Sequence, residues 1–503
     1  MGFLALTTIL VSLSYFRFKM RNFFSIVAGA LVAWSFYPNH WWAAIAGIAV
    51  LLTALDSQNR KIRLKVSSLF AVTYFAFHVY WVSVLGNDAW IALILICSLP
   101  WLLLGLLPVD SKSKWFYLQP AALVVVIEAI RGNWPWGGFP WGMLAYSQLD
   151  GPLVALSTIG GQALVGGAVV VCAAILIKLI KFRSITSIFI LMVISLTSAN
   201  VKTFTSIESI TLSAIQGNVP RVGNELSVQR AAVLKNHISV TKRLLSEIAN
   251  GKSATPDLIV WPESGTDIDP LQPGIAADSI KGLFNGSEIP ILIGATTLHG
   301  FDSTTAIKVP TNSGILWTKK GPDQIYIKNH LVPFGEYLPL RHFLSRFIKR
   351  FDQLQVDLVP GKGPGVFTLG ARQIGDVICF EVAYANQIYN TVNSGAQVMA
   401  VQTNNATFGN TAQPDQQFAI TRFRAIETQR AFLVASTSGI SGLIQNDGYV
   451  SQKTAQFESA IVTGEAHLIS QKTFSTKHPY WVLFASLCVL LFSLRNFWYR
   501  KVR

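Results

Sequence analysis

Long runs of uncharged apolar residues fill most of the first 200 positions and return once at 479–495, and no other feature constrains the fold of this chain as strongly. A helix needs about 20 mostly apolar residues to cross a bilayer, where every backbone polar group must be bonded internally. By that measure, spans are expected near 22–37, 40–55, 67–86, 89–108, 115–131, 154–179, 184–199 and 479–495. Residues 201–475 read instead as an ordinary mixed soluble sequence. The expected architecture is therefore a polytopic α-helical membrane bundle of about eight spans. Residues 21–200 supply seven of them, 201–475 form one soluble domain, and 476–503 form the last helix and a basic tail. Charged residues make up 13% of the chain, where a soluble globule carries roughly 25%.

Basic residues orient the bundle, because short loops rich in Lys and Arg stay in the cytoplasm. Arg17, Lys19 and Arg21 precede the first span, Arg60, Lys61, Arg63 and Lys65 follow the second, Lys112 and Lys114 follow the fourth, and Lys178, Lys181 and Arg183 follow the sixth. Threading these clusters in order puts residues 201–475 outside the cytoplasm and returns Arg495, Arg500, Lys501 and Arg503 to the inside. The net charge of +15 follows in large part from this loop bias and points to anionic headgroups rather than nucleic acid. Gly2–Phe16 is short for a span and reads as a ninth helix, an uncleaved anchor, or sequence upstream of a start at Met20.

Cys97, Cys172 and Cys488 fall inside apolar spans, which leaves Cys379 alone in a domain facing an oxidising compartment. A lone cysteine is commonly a small buried hydrophobe, so its neighbours decide its meaning. Apolar, β-branched runs in the domain end repeatedly on polar residues: DLIVWPES at Glu263, RQIGDVICFE at Cys379 and Glu381, and AQVMAVQTNNATFG at Asn404 and Asn405. These read as buried strands with site residues at their C-terminal edges. Helix-like stretches at 226–250 and 411–430 lie between them, which makes the domain α/β with a layered sheet core. Asn404 and Asn405 either position strand ends or substrate, or simply form a turn.

WPES with Glu263, YIKNHLVPFGEYLP with Lys328, and ICFE with Cys379 resemble the carbon-nitrogen hydrolase (nitrilase) superfamily, whose Glu, Lys and Cys triad stands on an α-β-β-α sandwich. With SFYP, GGFPWGMLAYSQLDGPL and KNHLVPFGEYLP added, and with seven spans before the domain and one after it, the chain resembles the apolipoprotein N-acyltransferase family from about residue 20 onward. The resemblance implies an enzyme of the bacterial inner membrane. Cys379 would take an acyl chain from a phospholipid as a thioester, and the α-amino group of a diacylglyceryl-cysteine lipoprotein would receive it. It also implies that Glu336 and Glu381 line the site and orient Lys328 or the nucleophile. The chain departs from the Gram-negative pattern where QGNVPRVGNELS offers no aromatic residue and where Thr407 stands in place of Trp.

The chemistry holds without the resemblance. A thiol attacking an ester needs a base, the role open to Glu263. The Lys328 ammonium is expected to favour the thiolate and, with the backbone N–H of Phe380, to stabilise a tetrahedral oxyanion. No cofactor or metal is required. After the lysine motif, Leu340, Phe343, Leu344, Phe347, Ile348 and Phe351 recur at helical spacing opposite Arg341, Arg346, Lys349 and Arg350. That is a basic amphipathic helix, suited to the plane of a membrane interface and to a lid over Cys379. The loop NWPWGGFPWG at 133–142 serves interfacial anchoring or an acyl-chain cavity, and Glu128 and Arg131 are expected to pair.

Two other classes fit parts of the sequence. A membrane-anchored amidase of the nitrilase type would use the same triad without needing a lipid-facing helix. A non-catalytic assembly or transport protein would account for the spans but not for Glu263, Lys328 and Cys379 together.

Overall fold

Apolar composition and capping set the helices that open the chain. In the computed structural model, which describes residues 19–199, 203–206, 208–219, 226–301, 308–341 and 356–502, helices occupy Lys19–Trp34, Trp42–Leu55, Arg60–His78, Asn87–Ser98, Gln119–Asn133, Ser157–Phe182, Ile185–Ala199 and Trp481–Val502. The chain divides into two units, one running to Lys202 and resuming at Thr473, the other Thr203–Lys472. Three helical stretches of the first unit, Asn87–Leu106, Lys114–Asn133 and Pro152–Phe182, are long and apolar enough to cross a membrane. Met20–Trp34, Trp42–Leu55, Ile185–Ala199 and Trp481–Arg495 are apolar but shorter. Gly2–Phe16 lies outside the described residues.

Two local expectations change. The basic cluster expected as a loop before 67–86 is the start of helix Arg60–His78. Asn59 caps it by accepting from the Ile62 amide at 3.0 Å, and Arg63 is buried with its guanidinium on the carbonyls of Gln58, Gly105 and Leu106. Glu128 and Arg131 bind the 133–144 loop instead of forming the expected ion pair. Arg131 donates to the carbonyls of Phe139, Trp141 and Gly142 at 2.7, 2.6 and 3.0 Å, and Glu128 accepts from the Leu144 amide at 2.7 Å. A loop folded against helices has backbone carbonyls to satisfy, and these two side chains with the Tyr74 hydroxyl supply partners. Trp141 is thereby buried, while Trp134 and Trp136 remain exposed.

The second unit alternates strands with helices. β1 (Ser209–Gln216), β2 (Leu258–Val260), β3 (Ile291–Phe301), β4 (Lys308–Thr318), β5 (Gly321–Ile327) and β12 (Ala460–His467) form one six-stranded sheet in the order β12-β1-β2-β3-β4-β5. β6 (Val366–Leu369), β7 (Arg372–Ile378), β8 (Val398–Thr403), β9 (Phe432–Ser436), β10 (Gly442–Ile444) and β11 (Val450–Lys453) form the second, ordered β11-β10-β9-β8-β7-β6. Three parallel strands stand at the centre of each sheet, β1-β2-β3 and β7-β8-β9, with antiparallel strands outside them.

Period-two alternation builds the layers. Ile210, Leu212 and Ala214 of β1 join Leu258, Val260, Ile374, Ile378, Val398, Ala400 and Leu433 in a core between the two sheets. Ile215, Ile259 and Trp261 point the other way, against helices Leu226–Ala249 and Ile275–Leu283. Helices Ala385–Asn393 and Gln413–Thr428 cover the second sheet. The result is an α-β-β-α sandwich, and the helical stretches expected at 226–250 and 411–430 are two of the covering helices among the described residues. Parallel strands end together, so the residues after β2, β7 and β8 meet at one edge.

The turn after β2 is set by a close approach. A Cβ on Gly294 of β3 would collide with the Pro262 carbonyl and stand 2.8 Å from the Glu263 Cα. Gly294→Val is expected to displace this turn and lower stability by about 1–3 kcal/mol. Thermal unfolding of the full-length protein in detergent checks this, and an unchanged midpoint would contradict the packing described.

Candidate active site

Lys328 directly follows β5, and its backbone N–H donates to the Asn312 carbonyl of β4 at 2.8 Å, which fixes where its side chain starts. The side chain is 1% exposed. Its Nζ donates to Glu263 Oε1 at 3.1 Å and Glu336 Oε1 at 3.0 Å. The same two oxygens accept from Asn312 Nδ2 at 2.7 and 2.8 Å. Burial alone pushes the Lys328 ammonium down, but the carboxylates, Glu263 foremost and then Glu336, outweigh it and hold the group above the usual lysine range. Lys328 is therefore a permanent cation inside the domain.

Glu263, two residues beyond Trp261, is buried. Its Oε2 accepts from the Asn404 backbone N–H at 3.0 Å, so the end of β8 orients the carboxylate. Glu336 is held by its own loop, with Oε2 accepting from the Val332 amide at 2.7 Å.

Cys379 leaves β7 in the left-handed region, with φ 55°, and opens a short 3₁₀ turn, Cys379–Ala383. A non-glycine residue there costs on the order of 1–3 kcal/mol, and the surroundings hold it. Arg424 donates to the carbonyls of Val382 and Ala383 at 3.0 and 2.7 Å and pairs with Glu427, all inside the fold. The half-buried thiol lies within the electrostatic reach of Glu263 and Lys328, and Thr403 Oγ1 donates to Sγ at 3.3 Å.

The expected thiolate is not the resting state. Burial raises the thiol first, and the Glu263 charge raises it further. Lys328 and Thr403 pull the other way without prevailing, and the thiol stands at about 12. Cys379 is thus a neutral thiol under the influence of the Glu263 carboxylate.

Glu381 is fully buried and touches the backbone on both sides of the site rather than either reacting group. Oε1 accepts from the amides of Asn329 and His330 at 2.8 and 3.0 Å, Oε2 accepts from the Ile378 amide at 2.8 Å, and the Tyr326 hydroxyl reaches both oxygens at 2.9 Å. It ties the segment after Lys328 to the residue before Cys379. Burial raises its carboxyl above the usual range. Phe380 follows the nucleophile within the 3₁₀ turn, its ring edge-on to Tyr384 at 5.3 Å.

Asn404 also accepts on Oδ1 from Thr437 Oγ1 at 2.8 Å. Asn405 is buried, donates to Gln413 and Gln417, and accepts from Ser436 Oγ at 3.0 Å. Both Asn residues brace strand ends. Leu340 is 64% exposed at φ 51°. Phe343, Leu344, Phe347, Ile348 and Phe351 of the amphipathic stretch lie outside the described residues.

Asn312, Thr403 and Tyr326 belong to the constellation and are absent from the sequence expectations. Asn312 had one readable sign: Thr311, Asn312 and Ser313 are three consecutive polar residues inside an otherwise strand-like run, and all three are buried. Buried polar groups need partners.

Comparison with known proteins places both units. Residues 28–175 match the family described as apolipoprotein N-acyltransferase N-terminal domain, and residues 214–470 match the carbon-nitrogen hydrolase family. An apolipoprotein N-acyltransferase of Mycolicibacterium smegmatis is 33% identical over 486 residues, covering 90% of this chain and 81% of its own. One from Pseudomonas putida is 27% identical over 501 residues, covering 93% and 95%. A solved amidase from Nesterenkonia sp. AN1 aligns over 50% of this chain and 92% of its own, with TM-score 0.37 and 16% identity.

The neutral thiol sets a pH dependence. Thiolate is the reactive form, so alkylation of Cys379 by iodoacetamide, located by peptide mass spectrometry, is expected to rise about tenfold per pH unit through neutrality without levelling near about pH 8.5, the value of a free cysteine. Lys328→Met removes the group that pulls the thiol down, so it should slow alkylation further at each pH. A plateau below about pH 9 would refute the neutral resting thiol.

Proposed function

Since this chain belongs to the apolipoprotein N-acyltransferase family, we propose that Cys379 carries the acyl group through a thioester, from a membrane phospholipid to the α-amino group of a diacylglyceryl-cysteine lipoprotein. The enzyme is an acyltransferase of lipoprotein maturation within the carbon-nitrogen hydrolase superfamily. The observation that carries the assignment of residues is one shared carboxylate: Glu263 holds the Lys328 ammonium at 3.1 Å, and its charge acts on the Cys379 thiol.

In the first half-reaction, Sγ attacks the ester carbonyl as its proton passes to Glu263. The C–S bond forms, and the carbonyl oxygen, now an oxyanion, is met by Lys328 Nζ and the Phe380 N–H. Collapse breaks the C–O bond, and the proton on Glu263 goes to the departing lysophospholipid oxygen. In the second half, the neutral amine attacks the thioester and gives a proton to Glu263. The C–N bond forms, the C–S bond breaks, and sulfur takes the proton back. Glu336 and Asn312 keep Lys328 and Glu263 in register throughout, and Glu381 fixes the backbone on both sides. A site with little water protects the thioester from hydrolysis.

The eight-span arrangement belongs to the same reading. A 15-residue helix rises only about 22 Å against a hydrocarbon core of about 30 Å, so the shorter helices would need flanking residues to complete a crossing. The alternation of basic clusters supports all eight, with Thr203–Lys472 outside the cytoplasm and the C-terminus inside. Leu340, at φ 51°, stands outside a right-handed helix, which corrects its place in the expected amphipathic run. The sequence pattern of Phe343, Phe347 and Phe351 opposite basic residues nonetheless suits a membrane interface.

Purified protein given phospholipid should carry an acyl thioester on Cys379 by intact mass spectrometry, discharged by a diacylglyceryl-cysteine peptide. Cys379→Ala should carry none, and Glu263→Gln should slow acylation by about 10²–10⁴-fold. Release of free fatty acid or ammonia without an acyl-enzyme would overturn the assignment in favour of a hydrolase.

A further inference from the structure

Three residues before the nucleophile, β7 carries Asp376, whose side chain enters the layer between the two sheets and is fully buried. Neither of its carboxylate oxygens has a hydrogen-bonding partner. Gln402 of β8 is also fully buried, and its Oε1 has no partner either. Both groups meet at Gly314 of β4. A Cβ there would collide with Asp376 Oδ2 and lie 2.8 Å from Gln402 Oε1. Glycine leaves the opening that both oxygens occupy.

The orientation of the Gln402 amide is not free. Nε2 donates to the Trp261 carbonyl at 2.6 Å and points at the Leu292 carbonyl at 3.4 Å. Rotating the amide by half a turn would set its oxygen against two backbone carbonyls, so the nitrogen must face them. Oε1 is thereby directed toward Asp376. Two desolvated acceptors facing one another are each short of a donor, and ionising Asp376 would add a negative charge near Glu381 and the Tyr326 hydroxyl. Burial and the nearby Glu381 raise the Asp376 carboxyl well above its ordinary range, against a smaller pull from the Val377 amide.

We infer that Asp376 is a neutral carboxylic acid whose O–H donates to Gln402 Oε1, and that this bond makes it a positioning residue for the base. The chain of bonds runs from Asp376 on the nucleophile strand, through Gln402, to the Trp261 carbonyl two residues before Glu263. It fixes the base strand of one sheet against the nucleophile strand of the other. No bond to substrate is made or broken in it.

The test is infrared difference spectroscopy of the resting full-length protein at neutral pH, wild type against Asp376→Asn. The expected result is loss of a protonated-carboxyl carbonyl stretch, and loss of a carboxylate band instead would overturn the inference. Acylation of Cys379 by phospholipid then tests positioning. Asp376→Asn, whose amide can donate to the same oxygen, should stay within about threefold of wild type, whereas Asp376→Leu, which strands Gln402 Oε1, should lose about tenfold or more. An Asn variant as impaired as the Leu variant would overturn the positioning role. The infrared readout needs no substrate, so it decides the proton even if the acyl-enzyme proposed for this site does not form.

Discussion

Everything at the candidate active site depends on one buried cation. Taking an ammonium out of water costs several kcal/mol, and only well-placed opposite charge and hydrogen bonds offset it. Lys328 meets that requirement with Glu263 from the turn after β2 and Glu336 from its own loop, both bridged by Asn312 of β4. Removing one partner of such a cluster costs about 3–5 kcal/mol because the remaining charge is left uncompensated. Three separate elements are thereby held to a common point, and Glu263, the proposed base, is one of the anchors.

The same cluster explains the state of the nucleophile. Around one ammonium stand Glu263, Glu336 and, farther off, Glu381, so the local field does not favour a second anion on sulfur. In the proposed reaction, proton transfer to Glu263 accompanies attack rather than preceding it. The backbone contributes by holding Cys379 at positive φ, an arrangement that turns the thiol out of the strand and toward the carboxylate. Arg424 and Glu381, both fully buried, keep that turn from relaxing. The residues that hold the strain are apart from those that react.

Sequence made the architecture of the soluble unit legible because its strands are buried on both sides and end on polar residues, a pattern with few other readings. It made Glu263 and Cys379 legible because each follows such a strand, whereas Lys328, after the half-exposed β5, was legible only through the resemblance of YIKNHLVPFGEYLP to the carbon-nitrogen hydrolases. Asn312 stayed hidden because it lies inside a strand, where its role depends on which residue the neighbouring sheet edge brings opposite. Asp376 and Gln402 stayed hidden for the same reason: a polar residue in RQIGDVI or VMAVQT has meaning only once the facing sheet is known. In the first unit, hydropathy located the helices, but among the described residues the three stretches of crossing length are fewer than the apolar runs. The pairing expected of Glu128 with Arg131 failed because three-residue spacing permits an ion pair without excluding stronger partners, here the carbonyls and amide of a folded-back loop.

The two-sheet plan makes the relative position of base and nucleophile a problem of its own, since Glu263 follows a strand of one sheet and Cys379 a strand of the other. Apolar packing between the sheets resists separation but is non-directional, and a core of Leu, Ile, Val and Ala specifies sliding only through shape. Directional contacts must set the register, and β8 supplies them from consecutive residues. Gln402 reaches the Trp261 carbonyl, Thr403 reaches the Cys379 sulfur, and the Asn404 amide reaches Glu263. The pleat sends successive side chains to opposite faces, so three neighbours can touch the base strand, the nucleophile and the base only where the strand ends and its alternation gives way to a turn. That is why Asn404 acts through its backbone, and why the tail of β8, outside the proposed triad, holds both the proposed base and the sulfur.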